Sequence, residues 1–432
     1  MTSPSTALLT DRYELTMLQA ALATGHAHRR CVFEAFARRL PGGRRYGVLA
    51  GTGRFLEALA DFRFTAAEID FLADQEIVDE PTREFLAGFR FSGDIWGYAE
   101  GECFFPNSPV LVVESTFAEA VILETLVLSI LNHDSAVASA ASRMTAAAGS
   151  RPCVEMGSRR THEESAVAAA RAAYIAGFSA TSNLEAGRRH GLPTVGTSAH
   201  SFTLLHDNEG DAFASQVASL GPSTTLLVDT YDIPAGVERA VQAAGPELGA
   251  VRLDSGDLIS GAAEVRAQLD DLGATRTQIV VTSDLDEYAI AALQAAPVNS
   301  YGVGTQVVTG SGAPAAGMVY KLVSRENADG VLEGVAKVSK DKKSVGGRKY
   351  ALRRRNSTGV AQEELIGIDT QPEDDGDDRE LMVPLVRAGS VVSATDAHTA
   401  RDRHAASRAE LPTRALRLSQ GDPAIPTTFL DL

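Results

Sequence analysis

The stretch AVRLDSGDLISGAAEVRAQLDDLGATRTQIVVTSDLD, residues 250–286, decides the fold. It opens on a short apolar run, AVRL, that stops at a turn of Asp254, Ser255, Gly256 and Asp257. An alanine-rich segment of helical spacing follows, and then a second apolar run, IVV, that ends in TSDLD. Strand, helix and strand in this order mean two parallel strands joined by a crossover helix.

The same unit recurs on both sides. CVEMGSR (153–159), FSATSN (178–183), PTVGTSAH (193–200), LLVDTYD (226–232) and NSYGVGT (299–305) have the same strand-like character. Alanine-rich segments such as EESAVAAARAAYIAG (163–177) separate most of them. Nearly every run ends in Ser, Thr, Asp, Arg, His or Gly. In an α/β barrel the carboxyl ends of the strands carry the active site, so these residues predict a polar rim. The fold alone does not name the chemistry.

Around this series the pattern changes. Residues 11–25 read as a helix ending at Gly25, and 31–37 (CVFEAFA) alternate like a strand. LPGGRRYGVLAGTG (40–53) is a glycine-rich loop leading to another helix. Thr116 and Glu119 fit a capping box ahead of a long helix. Beyond residue 330, a densely basic run (336–355) and an acidic one (371–380) predict a further sheet element and a solvated loop. The last fifty residues are polar and weakly periodic, and no role is assigned to them. The expected division is a barrel over 116–329 and a second α/β domain made of 1–115 and 330–432, with a polar C-terminal tail.

Bulk properties bound the function. A chain of 432 residues with 44% hydrophobic content supports two or three domains. A net charge of −16 argues against nucleic acid or an anionic membrane as partner. Cys31, Cys103 and Cys153 are odd in number and widely spaced, unlike a disulfide framework or a zinc site, and favour a reducing compartment. The N-terminus lacks a basic start followed by an apolar run, and no stretch is expected to cross a bilayer. These features predict a cytoplasmic globular protein.

The rim candidates each admit a plain structural role and a functional one. Gly302 and Gly304 with Thr305 form a phosphate cradle or an ordinary strand-to-helix turn. Arg252 and Asp254 share one side of a strand. The arginine suits a carboxylate or phosphate. The aspartate suits two sugar hydroxyls, or Mg²⁺ through water. Arg159 and Arg160 at another strand end suit an anionic ligand or a solvated pair. Asp229 or Asp232 can orient a histidine from a neighbouring strand, or cap a turn. His200 follows small residues, Ser198 and Ala199, where an imidazole is reachable. Lys337, Lys340, Lys342, Lys343, Arg348 and Lys349 make a solvated edge or an anion patch. The remaining histidines lack metal-ligand spacing, and no metal site is proposed.

Together these motifs resemble the nicotinate phosphoribosyltransferases, from about Leu9 to Tyr350. The resemblance rests on LLTDRYELTM, FEAFARRLPGGRRYGVLAG, ILNHDSAVASAASRM, EMGSRR, SNLEAGRRHGLPTVGTSAHSF, DTYD, VRLDSGDL, SDLDEY, GVGTQVVTG and VYKLV, in that order. It implies a type II phosphoribosyltransferase fold: an irregular, incomplete TIM-like α/β barrel, a second α/β sandwich-like domain, and a homodimer with sites between subunits. It implies that nicotinate and phosphoribosyl pyrophosphate give nicotinate mononucleotide and pyrophosphate, with Mg²⁺ on the substrate. The resemblance also implies that ATP phosphorylates the histidine at His200, and Asp229 is expected to fix its tautomer.

The resemblance carries further roles. Tyr13 stacks on the pyridine ring from the neighbouring subunit, and Arg252 lies near the pyridine. Arg159 meets a phosphate. Asp254, Ser283 and Asp284 hold ribose hydroxyls. Gly302 and Gly304, with Thr305, receive the 5′-phosphate, and Lys321 meets pyrophosphate or ATP. Two departures stand out. Met156 replaces an aromatic residue found in many relatives. Ser182 replaces an aspartate of the nicotinamide enzyme, which favours the acid as substrate. The alternatives are a nicotinamide or other pyridine phosphoribosyltransferase, and an inactive nucleotide-binding sensor.

Overall fold

The computed structural model describes residues 5–337, 344–394 and 396–430. The chain divides into two compact units, Met1–Ser139 with Ala313–Leu432, and Ala140–Gly312. These limits differ from the expected boundaries for a packing reason. The start of the long helix, through Leu123, Val127 and Leu131, lies in the core of the first unit. The strand Met318–Glu326 pairs with Arg30–Ala37 in the same unit.

The first unit is built on a seven-stranded sheet. Its order is Leu332–Gly334, Met318–Glu326, Arg30–Ala37, Leu111–Thr116, Asp94–Tyr98, Met382–Arg387 and Ser390–Val391. Alternation sends Phe33 and Ala35 into the main core, whereas Val32 meets Val112 and Val323 on the other face. Thr116 caps the helix Phe117–Val121 by accepting from the Glu119 N–H at 3.3 Å. The Glu119 carboxylate accepts from Ser92 and Ser115 instead, so only half of the expected capping box forms.

A four-stranded sheet follows, ordered Arg379–Glu380, Lys349–Arg355, Ala361–Ile368 and Thr427–Phe429. Its basic strand is not a solvated edge. Lys349 is buried and sits 3.2 Å from Glu34. Arg348 donates to Glu114 at 3.0 Å and lies over the Tyr350 ring at 3.7 Å. Both are therefore framework groups rather than part of an anion patch. Lys340, Lys342 and Lys343 lie outside the described residues. Arg353 is fully buried, with Nη1 2.7 Å from Glu102 and Nη2 2.5 Å from Glu364. The acidic run also folds back: Asp378 holds Arg354 at 3.0 Å.

The C-terminal residues, given no role from sequence, are integral to this unit. Asp396 caps the helix Ala397–Ala409. Ser407 on that helix joins the Arg353 network, accepting from Arg353 at 3.2 Å. His404 is buried, and burial first of all lowers its pKa to about 3, so it stays neutral. The run Phe117–Ala148 corrects the membrane expectation, since it is long and apolar enough to cross a bilayer. In its most apolar window, however, 67% is buried inside the protein, as in a core helix.

The second unit holds six parallel strands. In chain order they are Cys153–Glu155, Ala180–Thr181, Thr225–Leu227, Ala250–Leu253, Gln278–Ser283 and Ser300–Val303. In space they run second, first, sixth, fifth, fourth, third. Alanines along the crossover helix Glu163–Ile175 are almost all buried. The expected strand at 193–197 is absent. Thr194 makes a single bridge to Thr181, and Val195, Gly196 and Thr197 are exposed. Pro193 lacks an amide donor, and among the described residues this segment forms one bridge and no ladder. The sheet is therefore a curled, incomplete barrel.

Arg353→Met would leave Glu364 without its buried cation and Glu102 with Arg379 alone. It is expected to destabilise the first unit by about 3–5 kcal/mol. Urea unfolding of the whole chain measures this as a lower midpoint, and an unchanged midpoint would contradict it.

Candidate active site

The carboxyl ends of all six strands lie on one rim of the sheet. Strand polarity explains why. Parallel pairing puts Glu155, Thr181, Leu227, Leu253, Ser283 and Val303 at the same end, and the residues just after them share one surface.

Two buried carboxylates build the rim from beneath. Glu155 accepts from the Thr181 hydroxyl at 2.5 Å and from the Gly157 N–H. It thereby fixes the turn that carries Met156, Arg159 and Arg160. Its backbone oxygen accepts from Ser182 N–H at 2.8 Å, which couples that turn to the end of the second strand. Burial is the largest influence on Glu155 and raises its pKa, against the hydrogen bonds from Thr181 and Gly157.

Asp229 is the second such carboxylate. Its Oδ2 accepts from the Asp254 N–H and the Ser255 hydroxyl, each at 2.8 Å. The expected role of Asp229 as the direct orienting partner of His200 is thus corrected. His200 Nδ1 lies 3.1 Å from the Thr230 hydroxyl instead. The turn after Leu227 directs Asp229 toward the next strand and leaves its neighbour Thr230 to meet the ring. Thr230 stands inside the DTYD motif, between Asp229 and Tyr231, where a threonine carries no sequence signal of its own.

Asp254 accepts from the Thr282 hydroxyl through Oδ1. Its Oδ2 stands 3.9 Å from His200 Nε2, so the two groups face each other at a distance too long for a hydrogen bond. The two side chains are 40% and 42% exposed, so a ligand can reach both. Arg252 donates to Thr197 at 2.9 Å and leaves Nε buried without a partner among the described residues. Burial first, and then nearby Arg159, lower its pKa, while Asp254 and Asp229 act the other way. An anion beside Arg252 would relieve that strain.

Two cavities open here. One, of ≈ 240 Å³, is lined by Arg159, Arg160, Arg252, Asp254, Thr282, Ser283, Asp284, Gly302, Gly304 and Thr305. The other, of ≈ 580 Å³, is lined by Ser182, Thr197, Ser198 and His200, and shares Met156, Arg159, Arg252 and Asp254 with the first. Gly302 has a packing reason: a Cβ there would stand 2.5 Å from Thr282 and 2.8 Å from Met156 sulfur. Thr305 donates to Asp284 at 3.2 Å. Met156 therefore lies over the cradle rather than at a distance from it.

Tyr13 and Lys321 lie in the first unit and share Glu124. Lys321 Nζ is 3.7 Å from its carboxylate. Burial and then Glu124 push the Tyr13 hydroxyl up to about 12. Tyr13 is nonetheless 45% exposed, and Leu9 and Met17, four residues before and after it, are exposed too. Glu14, on the buried side, accepts from Thr125 N–H at 3.0 Å and pins the helix Arg12–Ala23.

The rim thus gathers Arg159, Arg160 and Arg252 beside the open carboxylate of Asp254, and known proteins can be set against it. A family model described as the nicotinate phosphoribosyltransferase (NAPRTase) N-terminal domain matches residues 8–132. Nicotinate phosphoribosyltransferase pncB1 of Mycobacterium tuberculosis is 59% identical, covering 97% of this chain and 94% of the relative. The chain belongs to the nicotinate phosphoribosyltransferase family. The pncB2 protein of the same organism is 43% identical over 81% of this chain and 75% of its own length. The crystal structure of human nicotinic acid phosphoribosyltransferase shares the fold, with a TM-score of 0.83 at 24% identity, covering 98% of each chain. Membership of the nicotinate phosphoribosyltransferase family fits the barrel read from strand alternation and the motifs at its rim.

Glu155→Gln tests the buried carboxylate through pH. The folded state holds the Glu155 proton more tightly than the unfolded state. The associated stability is present below the ordinary value of 4.5 and is lost as pH rises through the raised one. Relative to wild type, Glu155→Gln is expected to gain stability steadily above pH 4.5 and then level off. Thermal unfolding across that range measures it, and a pH-independent difference would refute it.

Proposed function

We propose that this rim transfers a phosphoribosyl group to nicotinate, giving nicotinate mononucleotide and pyrophosphate. The observation that carries the reading is the meeting of Arg252, Asp254 and the Gly302–Gly304–Thr305 cradle in one cavity. High identity to pncB1 over nearly the whole chain supports it.

The chemistry follows from these groups. The bond from C1 to the pyrophosphate oxygen breaks while the pyridine nitrogen forms its bond to C1. The nitrogen already has a lone pair, so no general base is required. Rate comes from positioning and from stabilising separated charge. Gly302 and Gly304, with Thr305, take the 5′-phosphate by letting their backbone approach it. Asp254, Ser283 and Asp284 accept the ribose hydroxyls. Arg159 meets a phosphate of substrate or product, and Arg252 draws the nicotinate carboxylate. The open carboxylates of Asp254 and Asp284 fit a magnesium ion carried by the substrate, which would neutralise the departing pyrophosphate. Asp229 acts by setting the backbone of Asp254.

His200 is read as the group that ATP phosphorylates. Its ring is reachable, is held by Thr230 and faces the Asp254 carboxylate. Tyr13 is read as reaching a second copy's pyridine site in a homodimer. The exposed Leu9, Tyr13 and Met17 support that assembly. Lys321 is read as meeting pyrophosphate or ATP. The three free, buried cysteines suit a reducing, cytoplasmic setting. Ser182 shares a cavity with Arg252 and adds no negative charge, which favours the acid over the amide.

The direct test is formation of nicotinate mononucleotide and pyrophosphate by the purified chain, with nicotinate and nicotinamide in competition. Absence of product from nicotinate would overturn the reading. His200→Asn is expected to retain slow basal transfer and lose stimulation by ATP, as measured by initial rates with and without ATP. Stimulation that persists would reject the phosphohistidine. Ser182→Asp is expected to raise KM for nicotinate by on the order of tenfold or more, because it places a carboxylate near a carboxylate. Unchanged KM would remove Ser182 from the specificity site.

A further inference from the structure

Behind the rim lies a buried ion pair that the transfer chemistry does not use. Glu287 begins the helix Glu287–Ala292, just after Ser283 and Asp284, and is 3% exposed. Arg143, near the end of the long helix Glu124–Ala148, donates its Nε to Glu287 Oε1 at 2.8 Å. Arg143 also approaches the Tyr288 hydroxyl at 3.4 Å. The second Glu287 oxygen accepts from the Ser311 hydroxyl at 2.8 Å.

Ser311 sits in an unusual turn. Gly310, Ser311 and Gly312 have φ values of 63°, 49° and 78°, three successive residues in the left-handed region. Glycine adopts it freely, but serine at this place is strained. The Ser311 N–H donates to Gln306 O at 2.7 Å, and its side chain is held by Glu287. This turn closes the segment that begins with Gly304 and Thr305. The loops after the fifth and sixth strands are thus tied twice. Thr305 meets Asp284 at the rim, and Ser311 meets Glu287 behind it. Burial would raise the Glu287 pKa, yet Arg143, its own N–H and Ser311 hold the carboxyl below the usual value, so it is ionised and its position is fixed.

We infer that Glu287, anchored by Arg143, is a positioning residue that sets the spacing between Asp284 and the Gly302–Gly304–Thr305 cradle. It touches no substrate. It selects for the phosphoribosyl partner by fixing the distance between the groups that receive its ribose and its 5′-phosphate. This rests on the phosphoribosyl-transfer reading above and deepens it. Small displacements of such groups are costly to binding and rate.

The test is steady-state kinetics on the full chain with phosphoribosyl pyrophosphate and nicotinate varied separately. Glu287→Ala is expected to raise KM for phosphoribosyl pyrophosphate on the order of tenfold or more, with KM for nicotinate within about twofold. Glu287→Gln keeps one acceptor oxygen, which serves Ser311 or Arg143 but not both, and is expected to raise KM for phosphoribosyl pyrophosphate by less than Glu287→Ala does. A merely structural role would instead lower the active fraction, or move both KM values together, and either result overturns the inference. If Glu287→Ala does not fold, Ser311→Ala decides. A selective rise of about threefold supports the inference, and no change overturns it. Wild-type chain that makes no mononucleotide would refute the transfer reading itself, which separates the two failures.

Discussion

A parallel sheet releases its polar backbone at the strand ends, and this protein meets that demand with buried carboxylates. Glu155 accepts from the amide of Gly157, and Asp229 accepts from the amide of Asp254. Glu155 ends one strand and Asp229 follows the end of another, and each fixes a turn at the rim. A carboxylate accepts several hydrogen bonds at once, which a carbonyl or hydroxyl does less strongly. Removing water from such a group is costly, so its partners are held in place. These hydrogen bonds fix the backbone of the turns at Gly157 and Asp254 within the fold itself.

The charge layout follows the same logic. The chain carries −16 overall, yet Arg159, Arg160 and Arg252 line one cavity with Gly302 and Gly304. Like charges so close repel, and Arg252 is partly desolvated as well. That cost is sustained by the fold and offset when an anion enters. The first unit uses charge differently. Arg353 and Lys349 are buried against Glu102, Glu364 and Glu34, and their role there is to hold sheets in one arrangement.

Much of the barrel was legible from local pattern. Runs such as AVRLDSGD end where a strand ends, because side-chain alternation and turn formers are both written within a few residues. The stretch 193–199 misleads for a related reason. Its apolar and small residues fit a strand, but strands need neighbours, and among the described residues this segment has one bridge. The basic run misleads too. Lys349 looks like a solvent-facing lysine until Glu34, far away in sequence, comes within 3.2 Å. The tail after residue 390 is polar, yet its buried residues, Ala397, Ala400, His404 and Ser407, serve one packed helix face.

The sequence by itself determined the alternation of strands and crossover helices outside 193–197, the polar residues at the strand ends, and the reachable His200. These depend on periodicity and on neighbours in the chain. Only the tertiary structure decided which groups pair. It gave Asp229 to the Asp254 backbone, Thr230 to His200, Met156 to Gly302, and Arg143 to Glu287. Pairing is a matter of a few tenths of an ångström between atoms whose residues lie tens to hundreds of positions apart. No local pattern carries that distance; it is set when the strands take their places in the sheet.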